Sequence, residues 1–509
     1  MSTTEQNDLS VDHQQTPGTG PRGGEILPSA ELFDGSEIHQ WIGGEARPGN
    51  GPALTLIDAI TGSPRGALRS SDSADVDAAT AAATSAFAEW RRTPAAERAA
   101  ALRRAAAQIR LHADELGRIL SRDTGRLLGQ ATESAAVAAD LLEEAAVTGV
   151  LEAGRSLGGN WMAVDAVRRE PRGVIAVLTP WNDPYPAAAG LLAAALVTGN
   201  VIVHKPSERS SAAGSALASL LAPELPAGVM NVLVGGGEVG ATLVADPRVD
   251  MVAHIGSTAT GRSIARIAGA RGARILLENG GKDPIVVDRG VDPRWAAEQI
   301  SIGAFTNTGQ LCTSVERIYL HADIAEAVTG ELVRIAEGMV TGDPGANGTD
   351  LGPLVDERQL AIVARHVDEA TEAGARCLTG GTRLDRPGSF YPPTVLTGCR
   401  ADMAVMREET FGPIAAITVV PDFDAGLRAA NDSEYGLAAT VLTPSTEHAL
   451  RAADELDVGT VKVNAVFGGA PGGSADPRKA SGHGPGFGPA LLGEFTALKA
   501  VHIEAAVTA

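Results

Sequence analysis

Three short segments carry side chains capable of covalent chemistry. Cys312 lies in Asn-Thr-Gly-Gln-Leu-Cys-Thr, Glu278 in Leu-Leu-Glu-Asn-Gly-Gly-Lys and Asn182 in Thr-Pro-Trp-Asn-Asp-Pro. A thiolate is a nucleophile, a carboxylate a general base, and a primary amide a donor to a developing oxyanion. Taken singly, each also has an ordinary structural reading. The cysteine would be a small buried apolar group, the glutamate a solvated loop acid, and the asparagine a turn residue capping the next helix.

A second set suits an anionic ligand. Lysine occurs five times among 42 basic residues, so a routine surface cation in this chain is Arg. Lys205 closes Val-Ile-Val-His-Lys-Pro-Ser-Glu, three residues before Glu208. An ammonium and a carboxylate at a strand's C-terminal end suit hydroxyls or phosphates, with a surface ion pair as the alternative. Gly235, Gly237 and Gly240 have the Gly-x-Gly-x-x-Gly spacing between a strand-like run and a helical one. In a chain with 60 glycines that spacing also arises by chance. Ile255-Gly256-Ser257-Thr258 leads into a helical stretch, where the free amides and the Ser257 hydroxyl either hold an anion or cap the helix.

These segments need a frame that brings strand ends together. From about residue 169, short β-rich runs (Val174–Thr179, 201–204, 229–234 and Met251–Ile255) alternate with Ala-rich helical stretches, the pattern of a parallel α/β sheet covered on both faces. A second series of runs at 285–287, 315–320 and Ile414–Val420, separated by helical stretches at 324–339 and 357–373, predicts a second α/β domain. Ahead of both, residues 73–125 read as two helices. The first is capped by Ser73 with Asp75 and Asp77 in its first turn, and the second by Thr93 with Pro94 at its first position. Residues 150–167 read as an irregular amphipathic extension.

Bulk properties narrow the function classes. At 509 residues the chain exceeds what one core sustains, and a formal charge of −20 disfavours nucleic acid and membrane as partners. Residues 1–32, poor in large apolar groups, read as a disordered tail without a secretory pattern. The longest apolar stretch, 187–197, is too short to span a bilayer, so a cytoplasmic location is expected. Three cysteines without a metal-ligand pattern, and no His-Glu-x-x-His or calcium loop, predict no metal.

Jointly the segments resemble the aldehyde dehydrogenase superfamily. Its Pro-Trp-Asn, Lys-Pro-Ser-Glu, Gly-Ser-Thr, Glu-x-Gly-Gly-Lys, Gly-Gln-x-Cys and Glu-Glu-x-Phe-Gly-Pro stations occur here in family order, the last as Glu408-Glu409-Thr410-Phe411-Gly412-Pro413. The similarity runs from about Trp41 to Ile503 and includes Arg317, Asn464 and a closing Glu494-Phe495-Thr496-Ala497-Leu498-Lys499.

The resemblance implies an NAD-dependent oxidation of an aldehyde to a carboxylic acid. In it Cys312 adds to the carbonyl, Asn182 and the Cys312 amide hold the oxyanion, hydride leaves to the nicotinamide, and Glu278 activates water to hydrolyse the thioester. It also implies cofactor contacts at Thr179, Pro180 and Trp181, at Lys205, Pro206, Ser207 and Glu208, at Gly237, Gly240, Gly256 and Ser257, and at Glu409 and Phe411. The implied fold is α/β, with two Rossmann-like domains and a β-extension for oligomerisation. Residues 33–149 and 168–280 would bind the dinucleotide, 281–480 would form the catalytic domain, and 150–167 with 481–509 the extension of a homodimer or homotetramer. The substrate region departs from the common pattern at Asp183, Leu191, Asn279 and 474–479. If Asp183 lacks an internal partner, it favours an aldehyde with hydroxyl or amino groups; the alternative is a helix cap. An acylating, coenzyme A-dependent enzyme is the competing reaction, which Glu278 disfavours. A non-catalytic member of the same fold is the competing class.

Overall fold

Runs such as Val174–Thr179 and Val201–Pro206, buried at every residue, have no face to offer solvent and can only be interior strands. The computed structural model describes residues 39–151, 154–469 and 473–506. In it five parallel strands lie side by side in the order Met230–Val232, Val201–Pro206, Val174–Thr179, Met251–Ile255, Arg274–Glu278. The chain moves outward from Val174–Thr179 in one direction, then returns to build on its other side. That reversal is a topological switch point, where a crevice opens beyond the carboxyl ends of the strands. Antiparallel edge strands, Gln40–Ile42 with Glu45–Arg47 on one side and Gly482–His483 on the other, complete the sheet.

The helix Pro184–Val197 starts with proline at its first position and is buried along nearly its whole length. Its alanines and leucines fill the space between the sheet and the long helix Leu128–Leu151.

The second sheet runs Arg376–Thr379, Thr394–Thr397, Ile414–Val420, Val315–His321, Asp283–Val287, Ala438–Leu442, Thr460–Val463, all parallel except the first. A third, small sheet pairs Thr496–Glu504 antiparallel with Ala163–Pro171 from Thr496↔Pro171 to Glu504↔Ala163. Around it Trp161, Met162, Val164, Leu498 and Ile503 stand exposed, an apolar face of the kind that marks an interaction surface.

Several local expectations are corrected. The first helix is capped by Asp72, not Ser73: Asp72 accepts from the Ala74 and Asp75 amides, and Asp75 closes a capping box. Thr93 does not cap the second helix. Its hydroxyl donates back to Glu89 O, and the N-cap residue is Pro94, without a side-chain bond. The expected continuous second helix breaks at His112 into Ala95–Leu111 and Ala113–Thr124. The stretch 150–167 is irregular only in part; it contains Arg155–Ser156 and most of a nine-residue strand. The expected tail, 1–32, lies outside the described residues.

Candidate active site

A cavity of about 930 Å³ opens at the switch point. Its walls come from successive strand ends: Thr179 to Asn182 after one, Lys205, Ser207 and Glu208 after the next, Gly256 and Ser257 after a third, and Glu278 closing a fourth. Cys312, Glu409 and Phe411 enter from loops of the second sheet.

Cys312 is half-buried, in the turn between Thr306–Gly309 and the strand Val315–His321. Asn307 and Thr308 there hold positive φ of 52° and 56°. Hydrogen bonds over-determine that unfavourable backbone, which is how such strain persists at functional sites. Asn307 Nδ2 donates to Gln310 O (3.2 Å), Gln310 Nε2 returns a bond to Asn307 O (3.2 Å), and Gln310 Oε1 accepts from Val355 N (3.0 Å). Asn182 Nδ2 donates to the same Gln310 carbonyl at 3.1 Å. This tether commits one amide hydrogen and leaves the second for a ligand oxygen.

Glu278 ends its strand 8% exposed, and its Oε2 has no protein hydrogen-bond partner. Burial pushes its carboxyl up to about 7, so near neutrality it exists both as acid and as base. A Cβ on Gly486 would come within 1.6 Å of Glu278 Oε2, so this carboxyl has room only because residue 486 is glycine. The Cys312 thiol is raised well above its ordinary value, first by burial and then by Glu278, Asp283, Glu409 and Asp183. As it stands the thiol is protonated and needs a base or a nearby positive charge to ionise.

On the opposite side, Lys205 Nζ lies 3.6 Å from Glu208 Oε2, with the lysine buried and the carboxylate half-exposed. Gly237 and Gly240 line the groove, while Gly235 packs against Ser70 and Val239 outside it. Ser257 caps the helix Thr258–Ala270. Pro180 also lines the cavity; Pro206 does not, and instead packs against Gly214. Trp181 meets Phe411 edge-on at 5.5 Å, and Arg209, paired with Asp356, sits over the indole at 5.5 Å.

The loop bearing Glu409 and Phe411 is held by contacts not anticipated from sequence. Glu316 accepts from the Thr410 amide (2.7 Å) and the Phe411 amide (2.9 Å), and pairs with buried Lys282. Lys282 in turn donates to Thr410 Oγ1, and Arg317 Nε to the Lys282 carbonyl. This clamp keeps Phe411 at φ 55°. Glu409 Oε1 accepts from Gly281 N at 3.0 Å, and its carboxyl is pushed up to about 8 by burial and by Glu316.

Asp183 has internal partners, which removes the condition on which its expected role with substrate rested. It forms an ion pair with Arg126 Nη1 at 3.2 Å and accepts from the Ser134 hydroxyl. Nor does it cap by side chain, although it occupies the N-cap position of Pro184–Val197.

Residues 47–501 match the model of the aldehyde dehydrogenase family. The chain is 36% identical to a hydroxyisobutyraldehyde dehydrogenase of Mycolicibacterium austroafricanum, over 91% of this chain and 93% of the relative. It is 37% identical to a 3,6-anhydro-alpha-L-galactose dehydrogenase of Streptomyces coelicolor, over 94% and 99%. Among solved structures, a betaine aldehyde dehydrogenase of Staphylococcus aureus in complex with NAD+ superposes with a TM-score of 0.90 at 28% identity, covering 93% of this chain and 95% of that one.

Proposed function

The chain belongs to the aldehyde dehydrogenase family and oxidises an aldehyde to a carboxylic acid with NAD, and from that premise we propose that Cys312, Asn182 and Glu278 carry the chemistry on a small hydroxylated aldehyde. The observation that carries this reading is one cavity holding a thiol, a tethered amide with a free hydrogen, and an unpartnered carboxyl poised near neutrality.

The residues divide the work. Cys312 gives up its thiol proton to solvent, an ionisation that the positive charge of a bound nicotinamide would favour. Its sulfur adds to the carbonyl carbon, and the Asn182 amide and the Cys312 backbone amide receive the developing oxyanion. Collapse of that oxyanion leaves a thioester on Cys312. Glu278, ionised, takes a proton from water as the water attacks the thioester, and the thiol is regenerated with release of the acid. NAD, when bound, supplies the hydride acceptor. The groove fits it: a Cβ on Gly240 would meet Leu178 at 3.2 Å and Lys205 at 3.5 Å, so glycine keeps this wall open beside the lysine. In our reading Lys205 and Glu208 bind the adenosine ribose, Ser257 the diphosphate and Glu409 the nicotinamide ribose. Trp181 and Phe411 flank the cofactor.

Glu208 can accept from ribose hydroxyls but repels a 2′-phosphate. We expect kcat/KM to favour NAD over NADP by about tenfold or more, a 1.4 kcal/mol difference, and Glu208→Ser to narrow the gap. Equal use of both cofactors by the wild type would contradict this role.

Phe467 and Phe487 line the cavity together with Asp183, so the wall is two aromatic rings beside an ion pair. Asp183 is already satisfied by Arg126 and Ser134, so the hydroxylated substrate class is inferred from a relative, the 36% identical hydroxyisobutyraldehyde dehydrogenase. An NADH-release screen should give a hydroxylated short aldehyde at least about a tenfold higher kcat/KM than its alkyl analogue, because a site that binds a hydroxyl leaves polar groups unpaired without it. Preference for the alkyl analogue would contradict this assignment. The exposed apolar face around Trp161 and Leu498 suits a second copy of the chain, and we assign a homodimer or homotetramer to it; a cytoplasmic location is our reading of the sequence alone.

A further inference from the structure

The cofactor groove contains one buried titratable group with no assigned work. His254 lies on the strand Met251–Ile255, only 5% exposed, in the wall of the same cavity as Lys205, Gly240 and Ser257. Neither ring nitrogen makes a well-formed hydrogen bond within the protein, although backbone groups of Ser257 and Leu178 lie near the ring. A Cβ on Gly256 would lie 2.6 Å from His254 Cε1, so the imidazole rests against the Gly256-Ser257 turn that opens the helix Thr258–Ala270. A buried polar ring with both nitrogens unmatched is uncommon and calls for an explanation such as a ligand.

Its surroundings define which ligand. Lys205, at the end of the strand on the far side of Val174–Thr179, opposes a second positive charge, and Lys205 is itself faced by Glu208 and by Glu238 of the helix Gly237–Ala245. His204, also buried, is already bonded to Thr179 Oγ1 at 2.8 Å. Glu278 closes the adjoining strand. Backbone groups of Ser257 and Leu178 favour the imidazolium without making a well-formed hydrogen bond to the ring, but burial dominates and holds the imidazole down to about 4. A diphosphate at the start of Thr258–Ala270 would bring negative charge to this ring, and a helix N-terminus favours the same anion.

We propose that His254 is a cofactor-binding residue that takes up a proton from solvent as NAD binds and donates its ring N–H to the diphosphate. This rests on the NAD reading above and adds a proton linkage to it. The sign follows from the two states. The free enzyme carries neutral His254 above about 4, the anion raises that value, and between the two values binding consumes a proton. NAD affinity therefore rises as pH falls through the raised value towards about 4, by up to about tenfold in all for each unit the imidazole is raised.

Calorimetric titration of the full-length protein with NAD, in two buffers of different ionisation enthalpy, measures the protons taken up. At about pH 6 the wild type should take up on the order of half a proton and bind about twofold more tightly than at about pH 8. In His254→Phe the uptake and the pH dependence should both disappear while NAD still binds at about pH 8. His254→Gln, which cannot titrate but still donates, should lose the uptake and retain more of the affinity, and it serves if the phenylalanine variant does not fold. Normal NAD binding without proton uptake in the wild type, or uptake unchanged in both variants, would overturn the proposal. Failure to bind NAD at any pH would instead overturn the cofactor reading.

Discussion

Replacing Cys312 with alanine should lower aldehyde oxidation by a factor on the order of 10⁴ or more, because removing a covalent nucleophile removes the pathway rather than tuning it. NAD affinity should stay within about twofold, about 0.4 kcal/mol: the lysine, glutamate and serine assigned to the cofactor come from other strand ends. Stopped-flow NADH absorbance and equilibrium NAD binding check the two halves separately. Turnover above a few per cent of wild type would mean that hydride leaves without a thioester. Lost NAD binding would mean that the alanine disturbs the groove and says nothing about the thiol.

Replacing Glu278 with glutamine should separate the two half-reactions. Acylation needs the oxyanion donors and an ionised thiol, which the positive charge of a bound nicotinamide would favour without Glu278, whereas deacylation needs a base, so a burst of NADH close to one per site should survive while steady turnover falls by about 10²–10⁴. The pH profile gives a second signature. The carboxylate is the competent form and burial sets its value at about 7, so hydrolysis-limited kcat should rise with pH through about 7 in the wild type and lose that step in the variant. Loss of the burst together with turnover would show that Glu278 also ionises the thiol. Wild-type turnover that requires coenzyme A and yields no acid would favour the acylating reaction.

How much of this site was legible depended on the range of the contacts. Asn182, Lys205, Glu208, Ser257 and Glu278 stand in short local patterns at the ends of β-rich runs, and parallel strands bring such ends to one edge without further information, whereas Cys312 enters from the turn ahead of a strand of the second sheet. The supports around them are contacts between distant positions that no local window contains. Glu316 reaches Thr410 and Phe411 across about ninety residues, Asp183 pairs with Arg126, and Gly486 makes room for Glu278. Asp183 shows the cost: its acidic character was readable, but its ion pair was not, and the partner decides what the carboxylate does.

Local errors have local causes. Asp72 and Ser73 are adjacent and both are strong caps, so composition alone does not choose between them, and the reciprocal bond from Asp75 does. The break at His112 interrupts a stretch whose apolar spacing remains helical on both sides, leaving little trace in the periodicity.

The central claim is that the aldehyde carbon becomes covalently attached to Cys312 as it is oxidised. Its most direct test is intact-protein and peptide mass spectrometry of the Glu278→Gln protein, quenched in acid after mixing with NAD and a short hydroxylated aldehyde. An adduct with the mass of the acyl group is expected on the peptide containing Cys312, dependent on NAD and equal in amount to the NADH formed. NADH release with no adduct at Cys312, or an adduct of the same yield on another residue, would contradict it.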